Sequence, residues 1–124
     1  MKEPLTKAEE QIMRYVWDLK ECSVGTIRDA IEAKKPGSKP AHSTVSTLLK
    51  FLREKEYIGY REFGRTFVYY PLVSHDDYSR GKVKSLVGRF FGGSTRRMVS
   101  FLVEENDLSL EELTELTRKL TEEE

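Results

Sequence analysis

The sequence predicts a mainly α-helical protein: a winged helix-turn-helix of three helices and a β-hairpin wing, followed by a C-terminal helical dimerisation region. Three observations carry that expectation. Apolar residues recur at three- and four-residue spacing in three separate stretches before Tyr57. Two short runs rich in aromatic and β-branched residues follow, joined by Gly64-Arg65. Beyond Pro71 the helical period returns, with more apolar side chains than such short helices can hide. The boundary falls after Leu72, giving a winged-helix domain over 1–72 and a helical dimerisation domain over 73–124.

The first helix opens at Leu5-Thr6-Lys7-Ala8-Glu9, where Thr6 caps the first turn and Glu9, three residues on, reaches back. Ile12, Met13, Val16 and Trp17 form its apolar face. Ser23 caps the second helix, whose stripe is Val24, Ile27, Ala30 and Ile31. Lys35-Pro36-Gly37-Ser38-Lys39-Pro40 then excludes both helix and strand, so it is a surface turn. The third helix begins around His42 or Ser43 and buries Val45, Leu48, Leu49 and Leu52.

Its opposite side carries Ser43, Ser46, Thr47, Lys50 and Arg53. Serine and threonine are indifferent helix formers, so their concentration there calls for a reason beyond stability. Their hydroxyls can meet base edges and phosphates. Plain helix capping with a solvated face is the alternative. The hairpin pairs Tyr57–Phe63 with Thr66–Tyr70, and Arg61 and Arg65 lie on or near its tip.

In the second half, Ser74 and Asp77 cap a helix bearing Tyr78, Val83, Leu86, Val87, Phe90 and Phe91, which Gly92-Gly93 ends. Ser94 caps a short helix with Met98, Val99, Phe101, Leu102 and Val103. Ser109 and Glu112 begin a last one with Leu110, Leu113, Leu116 and Leu120. A second copy of the chain would cover this apolar surplus, with Leu86, Phe90, Met98, Phe101, Leu102, Leu113, Leu116 and Leu120 as the dimerisation residues. Folding back onto the head of the same subunit is the alternative.

Charge sharpens the division. The formal net charge over 124 residues is zero, which by itself speaks against a nucleic-acid partner. Residues 1–72, however, carry 13 Lys and Arg against 10 Asp and Glu, whereas 73–124 carry 8 against 11. Between 33 and 65 the balance is 8 basic to 3 acidic. Only one half is built to meet an anion. Lys39, His42, Ser43, Thr44, Ser46, Thr47, Lys50, Arg61 and Arg65 are the expected DNA-binding residues, with the arginines and Lys50 on phosphates.

Other classes lack their constellations. His42 and His75 have no cysteine partner or His-Glu-x-x-His spacing, no glycine-rich loop joins a strand to a helix, and nothing suggests a cofactor or metal. Asp76 and Asp77 are explained by the helix dipole. Cys22 is the single cysteine and reads as a structural one. Neither a signal-like N-terminus nor a long apolar run is present, so a cytoplasmic protein without a membrane partner is expected. The remaining rival is a winged helix that binds protein instead of DNA. The polar start of the third helix, flanked by Lys39, Lys50 and Arg53, speaks for DNA.

The chain resembles the BlaI/MecI family, the penicillinase and methicillin-resistance repressors of bacteria, over nearly its whole length. The resemblance lies in Leu5-Thr6-Lys7-Ala8-Glu9, Ser43-Thr44-Val45-Ser46-Thr47-Leu48-Leu49 and Tyr69-Tyr70-Pro71-Leu72-Val73-Ser74. It continues in Phe91-Gly92-Gly93-Ser94 and Leu108-Ser109-Leu110-Glu111-Glu112-Leu113. It implies a homodimeric repressor on a palindromic operator, with entwined C-terminal helices and with Thr44, Ser46 and Thr47 at positions that reach the DNA. It also implies a signalling protease or other inducing factor as a partner. Some members are released when a protease cuts an Asn-Phe bond. This chain has no Asn-Phe dipeptide and carries Val99-Ser100-Phe101-Leu102-Val103 in the corresponding stretch. The cysteine-rich tail of copper-responsive relatives is missing too, which excludes copper sensing by that route.

Overall fold

The computed structural model describes residues 3–106 and, beyond them, Ser109, Glu111, Glu112, Thr114, Glu115, Arg118 and Lys119. Its elements run α1 (Lys7–Leu19), α2 (Val24–Lys34), α3 (His42–Glu54), β1 (Ile58–Phe63), β2 (Thr66–Pro71), α4 (His75–Phe90) and α5 (Thr95–Asn106).

Both halves of the capping box at α1 form: the Glu9 amide donates to Thr6 Oγ1 at 3.2 Å, and the Thr6 amide to Glu9 Oε1 at 2.8 Å. The same carboxylate accepts from Lys55 Nζ at 2.6 Å, tying the start of α1 to the end of α3. Glu9 is only 2% exposed. Burial alone would raise its pKa, but the hydrogen bonds from Lys55 and Thr6 outweigh that and hold it below the ordinary value. At α2 the expected cap, Ser23, is joined by Thr26 in a reciprocal pair, Thr26 N to Ser23 Oγ at 3.2 Å and Ser23 N to Thr26 Oγ1 at 2.8 Å.

The three helices and the hairpin close on one core. Met13, Val16, Ile27, Val45, Leu49, Leu52 and Ile58 are its fully buried side chains, each contributing roughly 1.5–3 kcal/mol by leaving water. β1 and β2 pair antiparallel from Ile58↔Pro71 to Phe63↔Thr66, leaving Gly64-Arg65 as a two-residue connection. Gly64 has φ +60° whereas Arg65 keeps a negative φ, the pattern of a type II′ turn. A third strand position comes from Cys22, which exchanges backbone hydrogen bonds with Tyr69 at 2.7 and 3.0 Å. Gly59 is required opposite Tyr70, whose ring lies 2.7 Å from where a Cβ would stand.

The chain divides into two compact units, Met1–Tyr78 and Ser79–Glu124. That is later than the boundary expected after Leu72, and the cause is a strap of head contacts. Trp17 Nε1 donates to the Val73 carbonyl at 2.8 Å, and its indole stacks on the His75 ring at 4.6 Å. The Tyr78 hydroxyl donates to Glu10 Oε2 at 2.5 Å, and its ring meets Tyr57 edge-on at 5.9 Å. Burial and the Glu10 carboxylate push the Tyr78 pKa well above the ordinary tyrosine range. The head therefore ends inside the first turn of α4.

In the second unit, Gly92 and Gly93 end α4 with φ +58° and +81°, and the Phe91 and Gly93 amides converge on the Val87 carbonyl at 3.0 Å. Ser94 caps α5 by accepting from Arg97 N at 3.2 Å, and the Phe91 and Phe101 rings lie 5.7 Å apart. Ser109 accepts from Glu112 N at 3.1 Å, as expected of a capping serine.

Candidate nucleic-acid interface

α3 presents two unlike faces because its apolar residues follow the helical period and its hydroxyls fill the gaps. Val45, Leu49 and Leu52 are buried and Leu48 packs against the core. His42, Ser43, Thr44, Thr47 and Lys50 are exposed, and Ser46 is half-buried.

The capping alternative for these hydroxyls fails. The N-cap of α3 is Ala41, with no side-chain cap. Among the described residues, Ser43, Thr44, Ser46 and Thr47 make no side-chain hydrogen bond, and the His42 and Ser43 amides have no protein acceptor. A helix that begins this way offers donors to an external anion.

The turn before α3 is held by residues that sequence reasoning passed over. Glu32 accepts from the Gly37 amide at 3.1 Å and the Lys39 amide at 2.9 Å, while Arg28 Nε donates to the Pro40 carbonyl at 2.8 Å. A carboxylate and a guanidinium from α2 thus set the entry angle of α3. The only earlier signal was their place on the polar side of the α2 stripe.

The cations divide into two kinds. Among the described residues Lys50 and Arg65 have no ion-pair partner. Lys39 Nζ pairs with Asp29 Oδ1 at 3.0 Å, and Arg61 pairs with Glu21 while lying 5.4 Å over the Tyr70 ring. Arg53 lies 4.8 Å over the Tyr60 ring, which in turn meets Phe67 edge-on at 5.4 Å. The wing also exposes Phe63, an apolar feature that its hairpin pattern did not foretell.

Elsewhere the chemistry is quiet. Cys22 is buried, which pushes its thiol up to about 11 and keeps it protonated. Among the described residues no group of His, Cys, Asp and Glu could hold a metal ion, and no helix is long and apolar enough to cross a membrane. Of the expected dimerisation residues, Leu86, Phe90 and Phe101 are exposed and Met98 and Leu102 half-buried. Leu113, Leu116 and Leu120 lie outside the described residues.

A three-helix head with a short basic-tipped hairpin beside its third helix defines a winged helix-turn-helix protein, of the class that regulates transcription. The head is similar to the solution structure of the DNA-binding domain of the repressor BlaI, with a TM-score of 0.52 and 25% identity over 63% of this chain and 94% of that one. The chain belongs to the penicillinase repressor family, whose family model matches residues 5–122. It is 32% identical to the penicillinase repressor of Bacillus licheniformis over 95% of this chain and 90% of that protein. It is 30% identical to the methicillin resistance regulatory protein MecI of Staphylococcus aureus (strain N315), over 90% and 89%. This is a family of transcriptional repressors and not of enzymes.

Proposed function

We propose that the chain represses transcription as a homodimer, each head setting α3 into the major groove of one half of a palindromic operator. The observation that carries this reading is the unbonded hydroxyl row of α3, backed by a fully buried apolar face. Thr44, Ser46 and Thr47 read base edges, while His42 and Ser43 at the helix start and the cations Lys39, Lys50, Arg61 and Arg65 meet the backbone. The apolar side chains of the second unit, Leu86, Phe90, Met98, Phe101, Leu102, Leu113, Leu116 and Leu120, join the two copies. Dimerisation makes the second half-site encounter intramolecular, so an inducing factor, a signalling protease among them, lifts repression by separating the copies. Such a protein works in the cytoplasm, where its operator lies.

Fluorescence anisotropy against an operator selected from random-sequence DNA, titrated with salt, tests the reading. Thr47→Ala weakens operator binding by about 1–2 kcal/mol and leaves random DNA unaffected, since it removes base contacts only. Arg65→Ala weakens both DNAs and lowers the salt slope by about one unit. Unchanged operator affinity after alanine at both Ser46 and Thr47 would refute this placement of α3. Binding of a protein ligand together with salt-insensitive, negligible DNA binding would favour the protein-interaction module instead.

A further inference from the structure

Two of the cations beside α3 come with a carboxylate of their own. Lys39, in the turn that leads into α3, is held by Asp29, and Arg61, on the first strand of the wing, by Glu21. All four side chains are well exposed, at 43% and 73% for the first pair and 49% and 60% for the second. We propose that Glu21 and Asp29 are specificity residues, competitors of the DNA backbone that hold Arg61 and Lys39 until a correctly seated operator displaces them. This rests on the DNA-binding reading above and extends it to two residues that touch no DNA in it.

The positions of both acids are built, not incidental. Glu21 precedes Cys22, whose backbone is fixed to Tyr69 by two hydrogen bonds. Its partner Arg61 is laid over Tyr70, whose ring packs across Gly59. The sheet thereby sets both ends of the pair. Asp29 sits on α2 between Arg28 and Glu32, the residues that tie down the turn bearing Lys39.

A cation already neutralised by a carboxylate releases fewer counterions when it meets a phosphate, and counterion release drives sequence-independent binding. Moving it also exchanges one exposed ion pair for another, a change worth little in itself, and leaves the carboxylate beside a polyanion. On random DNA that exchange has nothing to repay it. On an operator, base contacts from α3 hold the backbone at a fixed distance, and the two oxygens of a phosphate match the guanidinium fork. Lys50 and Arg65, without a carboxylate, serve both kinds of DNA. The two pairs therefore weaken random binding more than operator binding.

The isosteric variants Glu21→Gln and Asp29→Asn of the full chain, measured on operator and on random duplex over a range of salt, decide the matter. Each is expected to bind random DNA about threefold more tightly and to steepen the salt slope by about one unit. Operator affinity rises less, so the operator-to-random ratio falls. In an Arg61→Ala background Glu21→Gln brings no gain, and in Lys39→Ala neither does Asp29→Asn. Asp18→Asn, the same charge change at an exposed α1 carboxylate with no cation partner among the described residues, leaves the slope alone. Gains that persist without Arg61 or Lys39, or that Asp18→Asn reproduces, overturn the proposal in favour of a plain charge effect. Variants indistinguishable from a wild type that binds both DNAs also overturn it, while the DNA-binding reading stands. A wild type without salt-dependent DNA binding overturns both.

Discussion

The head and the second unit spend their apolar residues differently. In the head, twelve buried side chains drawn from all three helices and the hairpin form one cluster. In α4 and α5, Val87 is the one buried hydrophobic among the described residues, while Val83, Leu86, Phe90 and Phe101 stay exposed. A core that closes on itself stabilises a fold, whereas a stripe that does not close stabilises an association. The head is accordingly the part that carries its own stability, and the second unit the part whose energetics depend on concentration.

The largest expected contrast comes from deleting one apolar side chain in each region. Leu49→Ala removes a fully buried side chain and costs the head about 2–5 kcal/mol in urea denaturation. Phe90 is 67% exposed, so Phe90→Ala leaves monomer stability within about 0.5 kcal/mol and acts on the dimer instead, seen as a weaker association by sedimentation. Equal losses of monomer stability at the two sites would erase the distinction.

Removing the second unit comes next. A chain ending at Lys82 keeps Val73, His75 and Tyr78, folds, sediments as a monomer and binds the operator on the order of a hundredfold more weakly. A chain ending at Leu72 loses the acceptor of the Trp17 indole and the Tyr78–Glu10 bond, and melts lower than the longer one. Operator affinity equal to that of the full chain would show that the second unit adds nothing to DNA binding.

A smaller effect separates the regions by pH. Glu9 is held below its ordinary pKa chiefly through Lys55 and Thr6, against the opposing effect of burial. A depressed carboxylate stabilises the fold above its unfolded-state pKa, and that stability drains away as pH falls through the lowered folded-state value. Lys55→Met is expected to cost on the order of 2 kcal/mol at neutral pH and to flatten this acid limb in denaturation measured as a pH series. Dimer association should not share the limb. The smallest effect, about 1 kcal/mol, is expected from Tyr78→Phe, which removes a single hydrogen bond to Glu10 and is read in the melting of the head alone.

Local chemistry made most of the head legible. Thr6 and Glu9, the Pro36–Pro40 turn and Gly64 each act within a few residues, and the helical period separated Val45 and Leu49 from Thr44 and Thr47 correctly. What escaped depends on partners far along the chain. Trp17 reaches a backbone carbonyl at Val73, which no side-chain pattern announces, and this is why the boundary moved. Arg61 looked like a free phosphate contact because Glu21 lies in a different loop, brought near only by the Cys22–Tyr69 pairing. Ala41 was equally silent: an uncapped helix start has no signature except the absence of one.

The strap that ends the head also supplies an optical instrument. Trp17 is the single tryptophan of the chain, and its indole is both hydrogen-bonded to Val73 and stacked on His75. Its emission therefore comes from one place, the point where the head receives the first turn of α4. Undocking of residues 73–78 would move the indole into water and shift its emission to the red, without a label and without disturbing α3. The same cuvette that follows operator binding can thus report whether the strap stays closed while the DNA is held.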